Sequence, residues 1–416
     1  MLKPTHHLLC RTGLAAALLL LASAAMAQTS SFETIVRQSL ASHPSIQAKR
    51  SSAGAAKADL DGAVWQRYPT PSVEVNTDSN GARTTLLRVQ QPLWTGGRID
   101  ASIDAAGSRH QAADAAIQEA RQDIVQRVIA SHVEAMRQQA NTATLAQGRQ
   151  QNEELLGLIS RRVERDASPR VDQELAEARL YQSDNELSTA KQTLANALTQ
   201  LSQLSGMPVD HVDMVEVDSA LGQQGQEALL EQAIAWSPLL RRLSFEEAAA
   251  KADIETKRAI YKPQVSLRFE NSNSDSVNGI SAYNANRLML VLEAQTGAGL
   301  SALSGVEAAV ARQEAVQQQR EGAIRDLRER IAIDWSELTT ARLRLDNATR
   351  ASKSARNVYE SYTRQFTAGK KGWFEVLNMV REATQSDTAA TDANAQMTGA
   401  LLRLKLVSGN LKGLFE

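Results

Sequence analysis

Hydrophobic side chains recur at helical spacing over most of the chain. In the segment 170–205, apolar side chains repeat at intervals of three, four and seven residues, as at Leu187, Leu194 and Leu201, which places them on one face of an α-helix. The pattern predicts long helices at 98–165, 170–205, 302–367 and 372–407. Shorter helical segments are predicted at 32–67, with a break near Pro44, and at 228–261. The first long helix would span about 100 Å at 1.5 Å per residue. This length is typical of an elongated tubular structure rather than of a compact globular domain.

Two pairs of short segments alternate between apolar and polar side chains instead. Val265, Leu267 and Phe269 alternate with polar neighbours, the period of two that indicates β-strands. Strands are predicted at 71–78 and 84–93, joined through Asn80-Gly81, and at 264–270 and 286–293, joined by a long polar loop. The sheet would have one apolar and one charged face. That arrangement fits a wall between lipid and water, and it also fits core and solvent in a soluble sandwich.

The two halves of the chain repeat one another. Pro44 and Pro238 are 194 residues apart, as are Pro69 and Pro263. The pairs Ser205-Gly206 and Ser408-Gly409 are 203 apart. The sequence therefore predicts a mostly α fold with a small β part, built from two units of helix–strand–strand–helix–helix. The units occupy 28–206 and 227–416, and a polar linker at 207–226 joins them.

The N-terminal segment has the features of a secretory signal peptide. Lys3 and Arg11 precede an apolar run from Leu14 to Ala25, and Ala25-Met26-Ala27 offers a cleavage site. The apolar run is shorter than the roughly 20 residues that a spanning helix needs, although a retained anchor is the alternative. Removal of residues 1–27 would also remove Cys10, so we expect the exported chain to depend on packing rather than on disulfides.

The composition and the motifs do not indicate an enzyme. The formal net charge is −1, without the basic excess that nucleic-acid binding requires. Thr296-Gly297-Ala298-Gly299 lacks the third glycine spacing of a dinucleotide-binding loop. The histidines that follow residue 27 show no metal-ligand spacing, and they are His43, His110, His132 and His211. We therefore predict no catalytic residue, no cofactor and no metal.

Aromatic side chains flank the predicted strands. They are Trp65, Tyr68 and Trp94 in the first half, and Tyr261 and Tyr283 in the second. Their placement resembles the girdle of aromatics found at membrane interfaces. Each of them singly is equally compatible with ordinary packing.

The helix-to-helix turns carry the most specific resemblance. Arg364-Gln365-Phe366-Thr367-Ala368-Gly369, followed by Trp373-Phe374-Glu375-Val376-Leu377, resembles the turn of the TolC family of outer-membrane channels. Its counterpart in the first half is Arg161-Arg162-Val163-Glu164-Arg165-Asp166, followed by Ser168-Pro169-Arg170-Val171-Asp172. There Asp166 stands in place of glycine, so we expect that turn to be locally different.

The resemblance implies a homotrimer in the outer membrane of a Gram-negative bacterium. Its four strands per chain would form a twelve-stranded barrel, and its helices a tunnel that extends into the periplasm and closes at the tip. The expected partners are outer-membrane lipid, a periplasmic adaptor protein and an inner-membrane ABC transporter or proton-driven pump. Adaptor docking would involve the turn residues Asp166, Ser168, Pro169, Gly369, Lys370, Gly372 and Trp373.

The resemblance also implies a gate at the closed tip. Glu375 matches the first acid of the family's aperture ring, and Asn378 stands where a second acid is expected. Lys371 matches the basic residue of the closing link, and Asp172 its acidic partner. We therefore predict a Lys371–Asp172 contact near the tip, with two solvated surface charges as the alternative.

The predicted function is that of an export channel. The turns Ser168–Asp172 and Gly372–Asn378 are further similar to the outer-membrane partners of type I secretion systems for large adhesins, which favours protein secretion. A small-molecule or multidrug efflux duct is the alternative within the same class. The alternative of another class is a periplasmic coiled-coil scaffold or adaptor without a pore.

Overall fold

A computed structural model of the chain describes residues 31–77, 83–215, 225–274, 282–294, 301–411 and 413. The predicted signal peptide at 1–27, the Asn80-Gly81 turn and the segment Thr296–Gly299 lie outside the described residues. The helices are α1 Phe32–Ser42, α2 Pro44–Trp65, α3 Arg98–Val163, α4 Arg170–Ser205, α5 Gln226–Trp236, α6 Pro238–Arg258, α7 Ser301–Thr367 and α8 Trp373–Val407. The strands are β1 Thr70–Thr77, β2 Arg83–Trp94, β3 Gln264–Ser274 and β4 Tyr283–Glu293. The predicted fold class, mostly helical with a small sheet, is confirmed.

Prolines divide the shorter helical segments. The helix predicted over 228–261 is in fact α5 and α6 with Ser237 between them, followed by a short 3₁₀ turn at Ala259–Tyr261. Ser237 has an extended ψ of 114°, and its side chain accepts a hydrogen bond from the Leu240 N–H at 3.3 Å. Pro238 has no N–H to donate and disfavours helical geometry at the residue before it, but it suits the first position of a new helix. Pro44 begins α2 in the same way, after His43.

The four strands form one antiparallel sheet in the order β1-β2-β3-β4. β3 extends four residues past its predicted end at 270, and β4 begins three residues before its predicted start at 286. Asparagines continue the ladder there, because Asn271 Nδ2 donates to the Oδ1 atoms of Asn284 at 2.9 Å and Asn286 at 2.7 Å. Cross-strand hydrogen bonds of this kind hold polar residues in a strand despite their low intrinsic β-propensity.

The two faces of the sheet differ sharply in polarity. Register pairs Val265 with Leu292, Leu267 with Leu290 and Phe269 with Leu288, and this apolar face is exposed. The three leucines of β4 are 69, 68 and 71% exposed, for Leu288, Leu290 and Leu292 respectively.

The opposite face carries a polar network across β2 and β3. Arg88 pairs with Glu270 at 2.8 Å, and Arg268 donates to Gln90 Oε1 at 3.0 Å. Gln90 in turn donates to the hydroxyl of Ser266, a buried residue, at 3.1 Å. The polar side chains on one face of the sheet thus bond to one another, whereas the apolar side chains on the other face are exposed.

The long helices form a layer one helix thick. α3 lies between α2 and α6 in the half next to the sheet, and between α4 and α8 in the other half. α7 packs against α6 and then α8 along its length. The layer therefore has two long edges, one formed by α2, β1 and α4 and the other by β4 and α7.

The largest hydrophobic cluster lies at mid-height, where α1 packs against α3, α4 and α8. Ile35, Ile46 and Ile129 are among its fully buried members. Such side chains each contribute about 1.5–3 kcal/mol by leaving water. His132 on α3 is also fully buried there, with Phe32 at its ring and Nε2 3.1 Å from the carbonyl oxygen of Asp213. A second cluster joins α5, α7 and α8.

Helices long enough and apolar enough to cross a membrane are absent from the described part of the chain.

Gly409 offers a test of this packing at the end of α8. Its φ is +75°, and a Cβ at this position would lie 2.6 Å from the ring of Trp236. We expect Gly409→Ala to lower the free energy of unfolding by about 1–2 kcal/mol from the left-handed backbone alone, and by more from the steric overlap. Thermal unfolding of the detergent-extracted protein measures the change.

Gly54, an exposed residue in the middle of α2, provides the matched control. A Cβ there would meet nothing within 4 Å, so Gly54→Ala should raise the stability by about 0.5–1 kcal/mol. Equal effects of the two substitutions would contradict this account of Gly409.

Candidate functional site at the paired helix turns

The two helix-to-helix turns lie side by side at the end of the layer farthest from the sheet. The α3–α4 turn comprises residues 164–169, and the α7–α8 turn comprises residues 368–372. A hydrophobic cluster joins the ends of α3, α7 and α8 directly behind them. It contains Leu155, Ile159, Phe366, Val376, Leu377 and Val380, all buried.

Both turns have the same backbone. In the first, Asp166 N–H donates to the Val163 carbonyl at 3.0 Å and Ala167 N–H to the Arg162 carbonyl at 2.8 Å. In the second, Gly369 N–H donates to the Phe366 carbonyl and Lys370 N–H to the Gln365 carbonyl, both at 2.9 Å. These are the paired hydrogen bonds of a helix end with a left-handed residue.

Asp166 adopts the left-handed conformation that the corresponding glycine adopts in the second turn. Its φ is +55°, against +72° for Gly369. The expectation that the first turn would be locally different is therefore wrong for the backbone. Aspartate is one of the few residues that tolerates this region, because its short polar side chain can interact locally.

Two cations rest on aromatic rings beside the turns. The Arg162 guanidinium lies 5.1 Å from the centroid of the Phe366 ring and so joins α3 to α7. The Lys371 ammonium lies 4.5 Å from the centroid of the Tyr362 ring. The contacts of Arg162, Phe366 and Tyr362 are not predictable from the sequence, because no local spacing connects a residue with its partner in another helix or turn.

Glu375 organises the start of α8. Its Oε1 lies 2.8 Å from Lys371 Nζ, and its Oε2 accepts the Gly372 N–H at 3.0 Å. The Lys371 ammonium and then the Gly372 N–H hold the pKa of Glu375 below its usual value of 4.5, and Glu375 raises the pKa of Lys371. Both groups face solvent, so the pair fixes geometry more than it stabilises the fold.

The predicted partners of the gate are placed as follows. Lys371 binds Glu375, and Asp172 is in no ion pair among the described residues. Asp172 is half-buried in the first turn of α4, where its N–H donates to the Pro169 carbonyl at 3.1 Å. Asn378 is half-buried three residues after Glu375. The structure of one chain thus brings Lys371 to Glu375, and the Lys371–Asp172 contact stays a prediction.

The predicted docking residues form the outer surface of the two turns. Those that are exposed are Asp166, Pro169, Gly369, Lys370 and Gly372, and those that are half-buried are Ser168 and Trp373. Two apolar side chains beside them also face solvent, Val171 at 66% and Phe374 at 50% exposure. This apolar contribution is not predicted from the sequence, because a single apolar residue at a helix start does not show whether its side chain is covered.

The architecture matches solved channels along almost its whole length. It superposes on the outer-membrane channel OprN with a TM-score of 0.80 and 17% identity, over 91% of this chain and 89% of that one. The outer membrane protein VceC of Vibrio cholerae matches with a TM-score of 0.77 and 17% identity, over 91% and 96% of the two chains. The CmeC outer membrane channel of Campylobacter jejuni matches with a TM-score of 0.77 and 14% identity, over 92% and 89%. At these identities the likeness establishes the fold.

The sequence profile of the family described as outer membrane efflux protein matches residues 20–207 and 229–410, which is most of the chain. The chain belongs to this family. The resemblance to TolC-type channels is thereby confirmed. No curated protein sequence matches the chain significantly.

Membership of the outer membrane efflux protein family fixes the class of function and its location. The protein is a transport duct rather than an enzyme, and it lies in the outer membrane of a Gram-negative bacterium and extends into the periplasm. Among the described residues no group of three or more His, Cys, Asp or Glu side chains is arranged to hold a metal ion.

Three of the predicted interface aromatics of this efflux-family channel are exposed where the strands meet the helices. Trp65 and Tyr68 contact each other, with ring centroids 5.1 Å apart, and Trp94 is 49% exposed. Tyr261 differs, because its hydroxyl is buried and finds no hydrogen-bond partner within the described ranges. Tyr283 lies at the far end of the sheet, opposite Ser274.

The common backbone of the two turns predicts opposite effects for exchanging their residues. Asp166→Gly should raise the free energy of unfolding by about 1 kcal/mol, because glycine adopts positive φ without steric cost. Gly369→Asp should lower it by a similar amount. Thermal unfolding of the detergent-extracted protein measures both changes.

Ala167→Gly serves as the control, since Ala167 is the next residue in the same turn and has a negative φ. It should not stabilise the protein. A destabilised Asp166→Gly variant would mean that the aspartate side chain makes a contact that outweighs the backbone strain.

Proposed function

We propose that the protein is a homotrimeric exit duct in which three copies close one barrel and one helical tunnel. An inner-membrane transporter and a periplasmic adaptor would deliver cargo to its periplasmic end. The observation that carries the proposal is the pair of uncovered edges. A layer one helix thick, joined to a sheet with two free edges, leaves apolar side chains and strand hydrogen-bonding groups exposed on each side.

The helical edges support closure by further copies. No side chain of α7 is buried over 310–330, a stretch that the structure describes completely, whereas α3 carries buried side chains along most of its length. Large apolar residues on the edge helices face solvent, including Tyr181 on α4 and Ile333 and Leu343 on α7, at 65, 58 and 63%. A helix that exposes this much of its apolar surface requires a partner.

The sheet supports the same closure in the membrane. Its exposed apolar face suits lipid, and its internally paired polar face suits an aqueous lumen. Strand edges cannot stay unpaired in hydrocarbon. Four strands per chain make twelve from three copies, which lies in the range of known transmembrane barrels.

The turns support a gate at the periplasmic end. In the closed trimer, Lys371 would bind Asp172 as the closing link, in competition with its contact to Glu375. Glu375 would line the aperture as a single ring of carboxylates, because Asn378 supplies no second ring.

Adaptor docking is supported by the surface around the turns. Above them a groove of about 640 Å³ runs over α3, with α4 on one side and α8 on the other. Its lining includes Gly148, Arg149, Gln182, Thr193, Leu377 and Thr384. Together with Val171 and Phe374 at the tip, it offers a mixed polar and apolar surface for helices of an adaptor.

For the cargo we propose type I secretion of a large adhesin. The support is the resemblance of the turns Ser168–Asp172 and Gly372–Asn378 to the outer-membrane partners of such systems. Efflux of small molecules is the second candidate, and the efflux description of the family favours it. Deletion of the gene separates the two. Loss of a giant repeat protein from the cell surface, with unchanged drug susceptibility, supports secretion, and the reverse result supports efflux.

Membrane fractionation tests the channel against a scaffold without a pore. We expect the protein in the detergent-extracted outer membrane, as an oligomer that resists SDS until it is heated. Recovery in the soluble periplasmic fraction would overturn the proposal.

The closing link predicts a change in conductance. Lys371→Ala and Asp172→Ala should each raise the conductance of the closed channel in planar bilayers, because each removes one partner of the link. Lys353→Ala is the matched control, since Lys353 is an exposed lysine on α7 away from the turns. Closed-state conductance that is unchanged in both tip variants would contradict the gate.

The aperture ring predicts cation selectivity and its pH dependence. Because the pKa of Glu375 is held below 4.5 by Lys371 and the Gly372 N–H, the carboxylates stay charged above pH 4.5 and lose their charge only as pH falls through the lowered pKa. We expect a modest cation preference that persists below pH 4.5 and is lost only as the pH falls through the lowered pKa, measured as a reversal potential in a salt gradient.

Variants at Glu375 and Asn378 distinguish the contribution of the carboxylate ring to cation selectivity from that of other charges in the channel. Glu375→Gln should abolish the preference at every pH, and Asn378→Asp should strengthen it by adding a second ring. A Glu375→Gln channel with the selectivity of the unmodified protein would contradict the assignment.

A further inference from the structure

The edge helices α4 and α7 are matched in direction and in height. α4 runs away from the turns and α7 runs towards them, so two adjacent copies would place them antiparallel. The hydrophobic cluster behind the turns joins the ends of α3, α7 and α8 at one level. At 1.5 Å per residue, Glu174 lies about 6 Å from the start of α4 and Arg364 about 5 Å from the end of α7. In a ring of copies without axial displacement, these two residues share one level.

Both side chains point away from their own chain. Glu174 is two residues from Ala176, which is 1% exposed, and Arg364 is two residues from Phe366, which is 5% exposed. Two residues correspond to about 200° around a helix, so each charged residue lies on the face opposite a buried one. Both residues are exposed.

The two residues have opposite charges and no strong partner in the single chain. Glu174 is in no ion pair among the described residues. Arg364 approaches only Glu360, at 3.9 Å, with both side chains more than half exposed. Seven residues beyond Glu174, Tyr181 occupies the same face and is 65% exposed. At that height α7 presents Asn357, whose amide suits the tyrosine hydroxyl.

We propose that α7 of a second copy covers α4, with Glu174 of one copy paired to Arg364 of the next. The inference rests on the proposed trimeric duct and specifies the register of its seam near the periplasmic tip. Each copy contributes Glu174 at one edge and Arg364 at the other, so the contact is heterologous and repeats around a closed ring. The seam is thereby fixed within one helical turn of the gate.

Cysteine crosslinking tests the register. The sole cysteine of the chain is Cys10, in the predicted signal peptide, so introduced cysteines react without background after export. Glu174→Cys combined with Arg364→Cys should give covalent dimers and trimers when treated with a short thiol-to-thiol crosslinker that replaces the two long side chains of the ion pair, since the pair separates the two Cβ atoms by more than the roughly 3.5–4.5 Å of a direct disulfide. Glu174→Cys combined with Lys353→Cys, in which the second cysteine lies about 16 Å higher on the same helix, should give none.

Charge reversal tests the pairing itself. Glu174→Arg and Arg364→Glu should each lower the temperature at which the oligomer dissociates in SDS, and the double reversal should restore most of the loss. In one outcome the unmodified protein forms an SDS-resistant oligomer, the crosslink is absent and the double reversal does not restore the dissociation temperature. The Glu174–Arg364 pairing is then wrong, but the proposed trimeric duct is not contradicted. If the unmodified protein forms no oligomer, the proposed duct itself fails.

Discussion

The structure depends on apolar surface that one chain cannot bury. In a layer one helix thick, α3 has neighbouring helices on both sides, and 19 of its residues are buried, against seven on α7. α7, nearly the same length, has a partner on one side only. Because burial of apolar area is the main favourable term in folding, the chain alone is an incomplete unit whose stability is tied to its association. In the proposed trimer, the same incompleteness in the sheet would couple assembly to insertion in the membrane.

Ion pairs also join the two helices of each hairpin, and the two repeats form them with different residues. Arg149 on α3 pairs with Asp184 on α4 at 2.7 Å. The corresponding positions 203 residues later are Ser352 and Asp387, and the Ser352 hydroxyl donates a hydrogen bond to the Asp387 carboxylate. In this repeat the arginine partner of the aspartate is Arg356, 2.8 Å from Asp387 Oδ2. The aspartate is thus kept on the short helix of each hairpin, while the arginine has moved by one helical turn on the long helix. Each hairpin is fastened at one height by different residues.

The sequence was sufficient for the architecture but not for the contacts at the site. Period-two alternation around Leu267 and the long helical runs located the four strands and the long helices, because these patterns follow from burial on one face. The division of the segment 228–261 at Ser237 was not predicted. The ends of β3 and β4 were missed, since Asn271 pairs with asparagines only once the strands meet. Asp166 misled because aspartate tolerates positive φ without requiring it, so its identity alone does not indicate the left-handed conformation. Contacts such as Arg162 on Phe366 join different helices, and no local spacing encodes them.

The two turns show how equal backbones acquire unequal roles. Each ends its long helix with the same pair of hydrogen bonds, so the repeat conserves the path of the chain. Their side chains diverge: the second turn places Lys371, Tyr362 and Glu375 in one connected cluster, and no such cluster involves Asp172 among the described residues of the first. In the proposed gate, Lys371 would choose between two acidic residues, Glu375 at the start of α8 and Asp172 at the start of α4. Such an exchange of one carboxylate for another would cost little free energy, and a near balance of this kind would let a modest force from a docked partner shift the tip between two states.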